Sequence, residues 1–164
     1  MSDTDSDSLT DTASRVAGEA WDNLRRNARL SPPEIDDFAV IIGAMKSGTT
    51  SLFEYLADHP AISPCRTGEP NFFSRPANWR NGLDWYRDHW LWDDEHEWAL
   101  EASTNYAKGF KFEGTPGRLA EARQQGLNFR FIYLLRHPLD RLASQYNHSL
   151  RAGWKEPPDN PDSP

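Results

Sequence analysis

The chain has 164 residues, a length suited to one domain, and its 37% hydrophobic and 26% charged residues have the balance of a soluble globular protein. Its formal charge is −7, and residues 1–12 contribute Asp3, Asp5, Asp7 and Asp11 with no base. That balance argues against a nucleic-acid partner, which needs a concentrated basic face, and gives no support for a strongly polyanionic acceptor; a small basic pocket stays compatible with it.

Cys65 is the only cysteine, so no intrachain disulfide can form. It reads as a small, half-buried hydrophobe, consistent with a reducing compartment. The acidic N-terminus is the reverse of a secretory leader. The longest apolar run, Phe38 to Met45, is far too short to cross a bilayer. A cytoplasmic protein without a membrane span is the expectation.

In chain order, residues 1–12 read as a disordered acidic tail. Residues 13–33 form a helical lead-in, with Val16, Ala20, Trp21, Leu24 and Ala28 at helical spacing, closed by Ser31-Pro32-Pro33. A domain occupies 34–154, and the proline-rich 155–164 ends the chain as a tail.

Within the domain, Phe38–Ile42 is an apolar, β-branched run suited to a strand buried on both faces of a parallel sheet. A helix over 49–58 comes next, burying Leu52, Phe53 and Leu56. Trp79, Trp85, Trp90, Trp92 and Trp98 crowd the next stretch, either as core or as an aromatic wall beside a site. Trp98–Glu101 reads as a short strand, and Pro116–Gln125 as a helix with Pro116 in its first turn. Phe129–Leu135 is a second buried strand. A last helix, from Pro138 to about Leu150, carries Leu139, Leu142, Ala143, Tyr146 and Leu150 on one side. This alternation predicts a three-layer α/β/α fold with a central parallel sheet.

The chemistry concentrates in Gly43-Ala44-Met45-Lys46-Ser47-Gly48-Thr49-Thr50-Ser51, which joins the first strand to the first helix. Glycines let backbone N–H groups approach an anion at a helix N-terminus, Lys46 adds a full charge, and four hydroxyls add donors. The loop is not a Walker A motif, because Lys46 precedes Gly48 by two residues instead of coming directly after it. With Ile41, Ile42 and Leu52 around it, this segment resembles the 5′-phosphosulfate loop of sulfotransferases that use 3′-phosphoadenosine 5′-phosphosulfate (PAPS). The similarity is greatest to the carbohydrate, heparan-sulfate-type branch and its bacterial relatives. It implies a P-loop-like fold in which Lys46 contacts the oxygen bridging sulfur and phosphate. Ser47, Gly48, Thr49, Thr50 and Ser51 then surround the 5′-phosphate.

A second motif, Phe131-Ile132-Tyr133-Leu134-Leu135-Arg136-His137-Pro138, continues to Asp140, Arg141 and Ser144 and resembles the family's 3′-phosphate motif. By that resemblance Arg136 and Ser144 grip the 3′-phosphate, and a guanidinium fork suits a terminal phosphate. In a third, Glu69-Pro70-Asn71-Phe72-Phe73, the resemblance makes Glu69 the general base. Glu101, in Leu100-Glu101-Ala102-Ser103-Thr104-Asn105-Tyr106, is its rival in a segment resembling an acceptor-site motif. Many heparan-type members have Lys where this chain has Ala102, and some have His where it has Asn71; both departures point to a less anionic acceptor.

The implied reaction is transfer of a sulfuryl group from PAPS to a hydroxyl or amine of a carbohydrate or other small acceptor. The product is adenosine 3′,5′-bisphosphate (PAP), and no metal is expected. The resemblance covers residues 38–153, the front part of such a domain, so a further C-terminal segment or an oligomer partner is expected to complete the site. The rival readings are a small-molecule kinase of the P-loop type and a truncated, non-catalytic nucleotide-binding remnant.

Overall fold

The computed structural model describes residues 35–93 and 95–153; the expected acidic tail, the helical lead-in with its proline break, and the proline-rich tail lie outside them. The elements run β1 (Asp37–Gly43), α1 (Thr49–Ala57), β2 (Ile62–Pro64), α2 (Pro76–Trp79), α3 (Gly82–Arg87), β3 (Trp98–Glu101), α4 (Thr115–Gln124), β4 (Asn128–Tyr133) and α5 (Pro138–Arg151).

Phe38, Val40 and Ile41 have no exposed surface. A strand that apolar on both faces must lie inside a sheet. Accordingly, β1 pairs in parallel with β3 on one side and β4 on the other. β2 extends β3, and the four strands lie in the order β2-β3-β1-β4, all parallel. β2 has no sequence signature, since three residues including Pro64 suit only an edge position.

Alternation along β1 sends Phe38 and Val40 to one face and Ala39 and Ile41 to the other. The first face holds the larger core, where Phe38, Phe72, Phe73, Tyr86, Trp90 and Tyr106 pack with Ala122 of α4. Tyr86 stacks on Phe72 with ring centroids 4.7 Å apart and on Phe38 at 5.0 Å. Such pairs contribute about 0.5–1.5 kcal/mol each beyond their buried area. On the opposite face, Leu52, Phe53 and Leu56 of α1 cover Ile41 and Leu100. Helices on both sides of a parallel sheet give the three expected layers.

One expectation is corrected. The run Phe129–Leu135 does not form a strand buried on both faces. β4 stands at the sheet edge, and Phe131, Tyr133 and Leu135 are 45%, 52% and 83% exposed. The apolar side of α5 is also open, with Leu139 and Leu142 exposed. Composition encoded the strand; burial depends on a neighbour, and among the described residues β4 has one only on the β1 side.

Candidate functional site

β1 and β4 are adjacent and parallel, so the turns after them leave the same edge of the sheet. Leu134 N–H donates to Gly43 O (2.7 Å) and Ala44 N–H to Leu134 O (3.0 Å), which keeps the two chains together past the strand ends. Gly43 is needed there, because a Cβ would meet the Tyr133 ring at 3.1 Å. Ligands of open parallel sheets bind at this carboxyl edge.

In the first turn Lys46 and Gly48 both adopt left-handed backbone, with φ 66° and 89°. Glycine does so freely, whereas for lysine the strain is on the order of 1 kcal/mol and is characteristic of ligand-gripping turns. Gly48 caps α1 without a side-chain bond, and the first turn of α1 contains no acidic residue. The positive end of the helix is therefore left for an outside anion. Among the described residues, buried Ser47 Oγ has no hydrogen-bond partner. A buried hydroxyl is nearly always paired, and an anion oxygen seated in this turn would pair it.

The second turn reaches the first directly. Arg136 Nη1 donates to the Lys46 carbonyl at 3.2 Å. Lys46, Ser47, Gly48, Thr49, Thr50, Ser51, Glu69, Arg136 and Ser144 all line one cavity of about 1260 Å³. The residues assigned to the donor and to the base in the three motifs thus face a common space.

Glu69 is held at this cavity by the residues on its C-terminal side. Phe72 and Phe73 have no exposed surface, Phe73 packs edge-on to Phe129 at 5.4 Å, and Arg118 Nη1 donates to Phe73 O at 2.7 Å. Asn71, in left-handed backbone at φ 52°, donates from Nδ2 to Glu69 O (3.0 Å) and from N–H to Ser103 Oγ (3.0 Å). The anchored Phe pair fixes the loop, and the loop presents Glu69 to the cavity. Partial burial raises the Glu69 carboxyl above its ordinary value, opposed by the Asn71 bond, the Lys108 charge and Thr104. A raised carboxyl is the better proton acceptor.

Glu101 has a different place. It has no exposed surface and accepts hydrogen bonds from Ser103 Oγ (2.6 Å), Tyr86 Oη (2.7 Å) and Tyr106 Oη (3.2 Å). Burial pushes it up to about 7 against those bonds. It does not line the cavity, so of the two candidate carboxylates only Glu69 faces it.

A sequence model of the family described as "Sulfotransferase domain" matches residues 36–163. The chain belongs to the sulfotransferase domain family. It is 33% identical over 124 residues to the membrane-associated sulfotransferase kil1 of Dictyostelium discoideum, covering 73% of this chain and 25% of that protein. It is 34% identical over 116 residues to the bifunctional heparan sulfate N-deacetylase/N-sulfotransferase 3 of Homo sapiens, covering 66% of this chain and 12% of that one. Heparan sulfate glucosamine 3-O-sulfotransferase 3A1 of Mus musculus is 32% identical over 112 residues, covering 68% and 26%. The crystal structure of a sulfotransferase from Alicyclobacillus acidocaldarius matches with a TM-score of 0.60 and 27% identity, over 76% of this chain and 54% of that one. The chain therefore spans a quarter or less of the first two curated relatives and about half of the solved structure.

Sequence reasoning missed much of the cavity wall in this sulfotransferase domain. Arg75, Lys108, Lys111, Gln145 and His148 also line it, beside Asn105 of the acceptor-site motif. Lys108 Nζ donates to Asn105 Oδ1 (2.9 Å), and Asn105 Nδ2 donates to Asn71 Oδ1 (2.8 Å). Lys108 lies in an irregular segment without periodicity; the only sequence signal was its place two residues beyond the acceptor-site motif. With Lys46, Arg75, Lys108, Lys111, Arg136 and Arg141 on its wall and Glu69 as the carboxylate, the cavity is basic within an acidic chain.

Of the two readings of the tryptophans, the core one holds for four of the five. Trp79, Trp85, Trp90 and Trp92 pack into the core, and Trp90 Nε1 donates to Leu100 O at 3.1 Å. The cavity's aromatic lining is instead Phe110, Phe112 and Tyr133. Cys65 is a core residue, its thiol pushed up to about 12 by burial. Among the described residues no helix is long and apolar enough to cross a membrane. Nor, among them, does any group of three or more His, Cys, Asp or Glu come together to hold a metal ion.

Proposed function

We propose that this domain transfers a sulfuryl group from PAPS to a hydroxyl or amine of a carbohydrate or other small acceptor. The observation that carries the reading is the Arg136–Lys46 bond inside one cavity, which brings the two anion-binding turns to one common space. Ser47 Oγ, buried and unpaired, supports the first grip.

On this reading Lys46 and the loop N–H groups hold the 5′-phosphate, while Arg136 and Ser144 hold the 3′-phosphate that ATP lacks. Glu69 accepts the proton of the acceptor O–H or N–H as that atom bonds to sulfur. The bond from sulfur to the bridging oxygen breaks in line, its electron pair stays on the 5′-phosphate, and PAP is left. Lys46 neutralises the charge growing on that oxygen, the kind of fixed countercharge that lowers such barriers most. Lys46 and the loop amides can carry this charge without a metal ion.

Transfer of radiolabelled sulfate from PAPS to carbohydrate, lipid and phenolic acceptors tests the proposal. Lys46→Ala should lower turnover at least about 100-fold with an unchanged circular dichroism spectrum. Normal turnover in this variant would refute the role of Lys46, and tighter binding of ADP than of PAP would favour a kinase instead.

A further inference from the structure

We infer that Lys108 contacts the sulfuryl group itself, as a second cation placed between the phosphate-binding turn and the base. The inference rests on the sulfuryl-transfer reading and extends it to a residue outside the three motifs. Lys108 Nζ lies 3.5 Å from Sδ of Met45, in the turn that carries Lys46. Its charge is also felt by Glu69, which in turn favours the Lys108 ammonium against the burial that disfavours it. One ammonium group therefore neighbours both the donor-binding turn and the base. In an in-line transfer the sulfur must lie between those two, because the leaving oxygen is held by the turn and the nucleophile stands at the base.

The surrounding bonds hold Lys108 in that position. Its Nζ donates to Asn105 Oδ1, Asn105 Nδ2 donates to Asn71 Oδ1, and Asn71 Nδ2 donates to Glu69 O. Asn71 N–H donates to Ser103 Oγ, which donates to the buried Glu101. Each amide's orientation is fixed by the next, so the relay ties Lys108 and Glu69 to the same buried anchor. Lys108 keeps N–H donor capacity beyond Asn105, since an ammonium carries three. A sulfuryl oxygen is a matching acceptor, and its negative charge is what the cavity's cation would meet.

PAP has both phosphates but no sulfuryl group, so comparing it with PAPS isolates this contact. Isothermal titration of the full chain with each ligand is the test, on wild type, Lys108→Ala and Lys108→Met, the last keeping the aliphatic stem. Both variants should bind PAPS about tenfold more weakly, the size expected for loss of one charged hydrogen bond, with PAP affinity held within about twofold. Lys108→Arg should restore most of the PAPS affinity. Retained PAP binding also reports that each variant is folded. If PAPS and PAP weaken equally in both variants, or neither weakens, Lys108 does not meet the sulfuryl group. If wild type binds neither ligand, or prefers ADP to PAP, the sulfuryl-transfer reading fails and takes this inference with it.

Discussion

A carboxyl group with no exposed surface, surrounded by the hydroxyls of Ser103, Tyr86 and Tyr106, is held up to about 7 by burial and in the folded protein gives up its proton only as pH approaches that value. In the unfolded chain the same group releases it near its ordinary value of 4.5. Glu101 therefore adds nothing to the pH dependence of stability below pH 4.5. Its folded form is progressively disfavoured as pH rises from 4.5 to about 7. The shift corresponds to roughly 3 kcal/mol lost across that window. Glu101→Gln keeps the volume and cannot ionise. Urea denaturation at a series of pH values should show the wild-type stability falling relative to this variant between pH 4.5 and 7. Parallel curves would show that Glu101 is not held protonated. Sequence favoured Glu69 and left Glu101 as its rival, because each sits in a family-like segment. Burial separates them, and burial depends on Tyr86 and Tyr106, which no local pattern connects to Glu101.

At the scale of elements, segments with an apolar run or period were legible, the four-residue β3 among them, and segments without one were not. β1, α1, β3 and α4 each correspond to a run or period that one chain segment contains. β2, α2 and α3 span three, four and six residues, too few to display a period. The edge position of β4 depends on what lies beside it. Two substitutions contrast these environments. Phe72→Ala empties a position with no exposure, stacked on Tyr86, and should cost about 3–5 kcal/mol. Leu142→Gln, on the open side of α5 with 63% exposure, should change stability by no more than about 0.5 kcal/mol. Chemical denaturation of both variants checks this; a large loss from Leu142→Gln would mean that α5 packs in solution against something that covers Leu142. Phe72→Ala should also loosen the Glu69 loop, because the buried Phe pair is its anchor.

For the molecule as a whole, charge is distributed against the average. The chain is acidic, yet among the described residues the site cavity gathers six Lys and Arg side chains around one Glu. Such a cleft focuses field lines and draws anions, even into a protein of net negative charge. Overall composition hid this, and only the two anion-binding motifs hinted at it; Arg75, Lys108 and Lys111 reach the cavity through tertiary folding alone. The central claim is that turns after neighbouring parallel strands hold opposite ends of one adenosine bisphosphate. The most direct measurement compares PAP with adenosine 5′-monophosphate, which lacks the 3′-phosphate, by titration calorimetry on wild type and Arg136→Ala. Wild type should prefer PAP by at least about tenfold, and Arg136→Ala should erase most of that preference while leaving the monophosphate affinity unchanged. An undiminished preference for PAP in Arg136→Ala, or an equal loss for both ligands, would contradict it.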